Sequence, residues 1–143
     1  MSEPTSEDAA RWRERRREAA AHHAEALARR QQAESARAHA MLADFVGQAL
    51  AGGPAPVPLR VRSFDRRQTY ATPLRGWYLR QDQTVAVDVD GEFYVLLAPR
   101  SFGAMLRGVR PEPSDPPLIL GAGGKDGESI DLVDAIAKVL AQA

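Results

Sequence analysis

From Glu7 to Ala51 the chain carries no proline and a single glycine, Gly47, and no other stretch limits the fold so strongly. Fifteen of the first 52 residues are alanine and 17 of the others are Glu, Arg or Gln, all strong helix formers. Thr5 and Ser6 offer capping hydroxyls ahead of Glu7 and Asp8, whose charges suit the positive end of a helix, and Gly52-Gly53-Pro54 supplies a stop. An unbroken helix of that length spans ~66 Å, whereas the roughly 90 residues that follow pack to a radius of gyration of ~12 Å. Unless it is broken, most of such a helix must project or pack against another chain.

Its apolar residues are unevenly placed. From Ala38 onward Met41, Leu42, Phe45, Val46, Ala49 and Leu50 recur at the spacing of one buried helical face, which predicts docking onto the rest of the chain. Upstream the only large apolar residues are Trp12 and Leu27. The best heptad register runs through Ala20, Ala24, Leu27, Gln31, Glu34, Ala38, Met41 and Phe45, with Gln31 and Glu34 inside the seam of a weak coiled coil. The expected role is self-association or the grip of a partner helix, with Trp12 and Leu27 as contacts. The competing reading is a solvated helix held by pairs such as Glu7/Arg11 and Glu25/Arg29.

The 143 residues allow one domain of ordinary size, or a smaller one with an appendage. The 44% hydrophobic fraction overstates the core, because 25 residues are alanine. Basic and acidic residues balance at 19 each, so no global field favours nucleic acid or membrane, and an electrostatic partner has to be met by a local patch. The absence of cysteine excludes disulfides, thiol nucleophiles and Cys-ligated zinc. The acidic start and the lack of any run near ~20 apolar residues lead us to expect a cytoplasmic protein without a membrane partner.

After Pro54 the period changes. Leu59 to Phe64 alternates as a strand, and Leu74 to Leu79, Thr84 to Val89 and Glu92 to Leu97 form three further β-prone runs. Asp90-Gly91 predicts a two-residue hairpin turn that sets Val89 opposite Glu92, Val87 opposite Tyr94 and Val85 opposite Leu96. The run to Leu97 is apolar on both faces, which predicts a central strand with something packed on each side. Ser101 can cap a short helix through Phe102, Met105 and Leu106; a three-residue strand, Leu118 to Leu120, precedes GAGGKDGES and a helix from about Ile130.

Three motifs invite chemistry. DVDGE resembles a calcium loop only in part, because aligning Gly91 with the loop glycine puts Ala86 and Leu97 at essential ligand positions. GAGGKDGES lies between a strand and a helix, where backbone N–H groups and Lys125 can hold an anion; Gly121, Gly123, Gly124, Lys125 and Ser129 are the candidate residues for a small anion or nucleotide. It matches neither phosphate-loop fingerprint, and its bland reading is a loop in which Ser129 caps the last helix. Arg60, Arg62, Arg66, Arg67, Arg75 and Arg80, interleaved with Phe64, Tyr70, Trp77 and Tyr78, have the composition of a single-stranded nucleic-acid or partner surface. The alternative is that the acidic run Asp82, Asp88, Asp90 and Glu92 neutralises them on neighbouring strands, which makes nucleic acid the lesser expectation. His22, His23 and His39 lack metal-ligand spacing, and the serines lack a nearby base, so we expect no metal, no cofactor and no catalysis.

The blocks RGWYLR, AVDVDGEFYVL, PPLILGAGG and KDGESIDL resemble a recurring set of small uncharacterised proteins of high-GC bacteria over residues 57–135, a likeness that brings no function with it. Trp77-Tyr78-Leu79 also resembles the WYL ligand-sensing domains of bacterial regulators, although TVAVDVDGEF stands where their arginine-rich strand follows.

The expected fold is α+β: a long helix over 1–53, then a domain over 54–143 with a mainly antiparallel sheet, a β-meander (74–97) and a C-terminal helix (130–142). The expected function is a non-catalytic interaction or assembly module. Its helix would mediate oligomerisation or partner docking, with Arg60, Arg62, Arg66 and Arg67 as further contact residues.

Overall fold

The computed structural model describes residues 5–121 and 128–142. Helix α1 runs Ser6–Leu50, as the proline-free composition requires. Its first turn closes reciprocally: the Asp8 N–H donates to Thr5 Oγ1 (3.2 Å) and the Thr5 N–H to Asp8 Oδ2 (3.3 Å), so Thr5 is the cap. The chain divides into two compact units, one up to Glu34 and one from Ser35 onward.

Among the described residues of the first unit none is buried. Arg11 pairs with Asp8 (2.9 Å) rather than with Glu7, and Arg17 pairs with Glu14 (3.4 Å). The Arg16 guanidinium lies 4.9 Å from the centre of the Trp12 ring, a cation–π contact.

The second unit takes up the last turns of α1. Ala38, Leu42, Phe45, Val46 and Ala49 are buried, following the apolar face in the sequence. They share one core with Trp77, Leu79, Val87, Phe93, Leu120, Leu132, Ala135 and Val139. Phe45 meets Trp77 edge to face at 5.3 Å, and the Trp77 Nε1–H donates to the Pro54 carbonyl (2.8 Å), which fixes the exit from the helix.

Five strands form one sheet: β1 (Val57–Ser63), β2 (Thr69–Tyr78), β3 (Val85–Asp88), β4 (Phe93–Val95) and β5 (Leu97–Ala98), in the order β4-β3-β2-β1-β5. All pairings are antiparallel except β1 with β5. The expected central strand is therefore corrected: its two halves occupy opposite ends of the row. Leu96 joins them, its N–H donating to the Thr84 carbonyl (2.8 Å) and its carbonyl accepting from the Arg62 N–H (2.9 Å). The sheet thus curls until one kinked strand closes it, leaving no long free edge. Closure also explains why that strand is apolar on both faces. Phe93 joins the core under α1, whereas Tyr94 and Leu96 join a second core with Leu59, Val61, Tyr70, Ala86 and Ala104.

The β3–β4 turn differs from expectation by one residue. Val85 pairs with Val95, Ala86 with Tyr94 and Val87 with Phe93. Only Gly91 has a positive φ (84°), which makes this a three-residue turn closed by a left-handed glycine instead of a two-residue turn with two such residues. The cause is the Asp88 carboxylate. Its Oδ1 accepts from the N–H groups of Asp90 and Glu92 (both 2.9 Å) and its Oδ2 from the Tyr94 hydroxyl (3.1 Å). An aspartate that satisfies the turn's own donors competes with the tighter turn.

Ser101 caps α2 (Phe102–Arg107) as expected, accepting from the Ala104 N–H (3.2 Å). Toward the C-terminus β6 (Ile119–Leu120) pairs with β7 (Ile130–Asp131), and α3 (Leu132–Leu140) follows. That pairing takes the residues assigned to the first turn of the last helix. Asp131, not Ser129, therefore stands at the N-cap position, without a side-chain capping bond.

Candidate functional site

The ends of the 121–128 segment converge on Arg80, which follows β2. Its Nη1 donates to the carbonyls of Leu120 (3.2 Å) and Glu128 (3.0 Å), and its Nε to Asp82 Oδ2 (3.4 Å). Gly121 has φ 78°, a backbone conformation that favours glycine, and a Cβ there would displace the Arg80 guanidinium. Burial works against the charge of Asp82, but the Thr84 hydroxyl and N–H, together with Arg80, outweigh it and hold the carboxyl below its usual range. The Thr84 bonds measure 2.7 and 3.1 Å.

Beside this staple opens a cleft of about 710 Å³. Arg66, Arg80 and Lys138 line it together with Asp82, Glu128 and Ser129. Arg80 is committed to backbone carbonyls and Asp82. The side chains of Arg66 and Lys138 make no hydrogen bond or ion pair among the described residues, and both are exposed. Two uncommitted cations and a serine hydroxyl on one cleft can hold a small anion. No histidine lines it.

Of the residues the sequence singled out for an anion, Ser129 lines this cleft and Gly121 stands against the Arg80 side chain, while Gly123, Gly124 and Lys125 lie outside the described residues. Arg66 and Arg67 sit on the β1–β2 turn, where Arg66 has φ 61°. Arg60 and Arg62 lie on β1 and do not meet the acidic run. Arg60 bonds to Thr69 Oγ1 (3.2 Å), Arg62 to Gln83 Oε1 (2.5 Å) and Arg75 to the Pro56 carbonyl (3.2 Å). The expected neutralisation holds only between Arg80 and Asp82, in the loop after β2, and is otherwise corrected: β1 lies between β2 and β5, away from the acids of the β3–β4 turn, and Asp88 is turned inward. Trp77 and Leu79 enter one core, and the Tyr78 hydroxyl accepts from the Arg60 N–H (2.9 Å), so the WYL triplet serves the sheet. Lys138 was not legible as a site residue, since a lysine in the last turn of a helix is ordinary.

Trp12 and Leu27 are each 55% exposed. In the heptad register Ala38 and Phe45 are buried in the second unit's core and Met41 packs against it, whereas Ala20, Ala24, Leu27, Gln31 and Glu34 are not buried. Among the described residues no group of three His, Asp or Glu could hold a metal, and no helix is long and apolar enough to cross a membrane. No family model, no curated protein and no solved structure matches this chain.

Proposed function

We propose that the protein is a cytoplasmic, non-catalytic interaction module whose α1 is the docking element, for a second copy of the chain or for a partner helix. One observation carries this reading: from Ser6 to Arg37 no residue is buried, and burial begins at Ala38. A helix so polar gains little from packing, and most helical stability in proteins comes from a covered face. Trp12 and Leu27 are the anchors with enough apolar area to hold a partner. Sedimentation of the full chain over a concentration series tests self-association. The expected result is a concentration-dependent oligomer that reverts to monomer in Trp12→Glu/Leu27→Glu; a monomer at every concentration removes that form of the proposal and leaves docking to a different chain.

The cleft supports a second reading, the binding of a small anion by Arg66 and Lys138. Inorganic phosphate or pyrophosphate should raise the melting temperature of the parent and not of Arg66→Gln/Lys138→Gln. Equal shifts in both would remove it.

A further inference from the structure

We propose that the end of the second unit formed by the β1–β2 turn and α2 is a docking surface for an anionic lipid bilayer. Phe64, Phe102, Met105 and Leu106 are 67, 82, 53 and 89% exposed, uncommon for apolar side chains so close together. They belong to one surface. The Phe64 N–H donates to the Ala98 carbonyl (3.1 Å), Arg100 pairs with Asp65 (3.7 Å), and the Ser101 N–H donates to the Tyr70 hydroxyl (2.9 Å). At the far end of α2 the Val109 N–H donates to the Ala71 carbonyl (2.9 Å).

The charge on this surface is one-sided. Across residues 63–69 and 99–112 stand Arg66, Arg67, Arg100, Arg107 and Arg110 against Asp65 and Glu112. In a chain with no net charge this is a local excess, and it lies around the exposed apolar residues. A shallow pocket of about 480 Å³ lined by Arg107 and Arg110 adjoins α2 and has the charge for a phosphate headgroup. Cations for headgroups beside apolar side chains for the acyl boundary are what a peripheral membrane contact uses, and it needs no spanning segment.

Other occupants fit less well. Met105 and Leu106 offer no flat face to a nucleobase, and stacking is the main source of affinity for single strands. Two copies would bring arginines against arginines. Acidic protein would satisfy the charges, but protein anchors bind in packed pockets, and none of the four apolar residues lines either cleft. Acyl chains need no preformed complement.

The test is co-sedimentation of the full chain with phosphatidylcholine vesicles containing about 30% phosphatidylserine, and with phosphatidylcholine alone. We expect pelleting with the anionic vesicles only, falling as salt rises. It should be lost in Phe102→Glu/Leu106→Glu and weakened roughly tenfold or more in Arg107→Gln/Arg110→Gln. All four positions are exposed, so both variants should melt with the parent. No pelleting of the parent, equal pelleting with neutral vesicles, or undiminished pelleting of both variants would overturn the proposal. So would retention on polyglutamate or oligo(dT), through these residues, without retention on vesicles.

Discussion

Replacing Asp88 by alanine tests the reading of the β3–β4 turn, because one buried carboxylate serves three donors there. Asp88 is 5% exposed and accepts from Asp90, Glu92 and the Tyr94 hydroxyl. The two turn N–H groups can recover water in the variant, which limits their loss to about 1 kcal/mol each. The Tyr94 hydroxyl cannot easily do so, since that residue is also 5% exposed, and an unpaired buried hydroxyl costs about 1–3 kcal/mol. Asp88→Ala should therefore destabilise by roughly 3–5 kcal/mol, a drop of about 10–17 °C in melting temperature for a chain of this size. Asp88→Asn keeps an acceptor for the turn and a donor for Tyr94, and should cost less than half as much. Chemical denaturation of the three proteins, with unchanged dependence on denaturant, is the assay. A loss under 1 kcal/mol in Asp88→Ala would refute the argument, as would Asn and Ala variants of equal stability.

Burial first, and then the charge of Asp88, push the Tyr94 hydroxyl up to about 12. Its ordinary value is about 10, so the folded protein holds this proton more tightly than the unfolded chain does. The resulting stability is fully present below pH 10 and is lost between pH 10 and 12, by at most about 2.7 kcal/mol. Tyr94→Phe should flatten that part of a stability–pH curve, and an unchanged slope would show that other groups control it. Gly121→Ala should cost roughly 2–3 kcal/mol by forcing an unfavourable φ and moving Arg80 off the Leu120 and Glu128 carbonyls; thermal melting checks it. Trp77→Phe retains most of the packing but loses the bond to Pro54, and should destabilise by about 1–2 kcal/mol in the same assay. Ser101→Ala should cost about 1 kcal/mol through the lost cap on α2, detectable as earlier denaturant unfolding.

Features written in local pattern were legible. The absence of proline gave α1 its length, the spacing from Ala38 to Ala49 identified its covered face, and Ser101 announced the cap of α2. Pairing choices were not. Nothing local says that Asp88 will turn its carboxylate onto its own turn, and that choice moves the hairpin by one residue and changes every partner across it. Nor does alternation reveal that one apolar strand will kink at Leu96 and close the row, since closure depends on β1, far away in sequence. The acidic partners expected for the arginines of β1 were missed for the same reason: their neighbours follow from strand order. The candidate cleft was half legible, because glycines beside a helix draw attention whereas Arg66 and Lys138 reach it only through the fold. The exposure of Phe102 and Leu106 was hidden, since α2 buries only Ala104.

Amide hydrogen exchange along α1, followed as protein concentration rises, puts the docking claim to its most direct test. Residues 38–50 should be protected throughout, and residues 6–37 should exchange quickly in dilute solution and gain protection at high concentration or when a partner is added. Strong protection of 6–37 in the dilute monomer would mean that its own chain already covers this stretch, and the account of α1 as a docking element would be wrong.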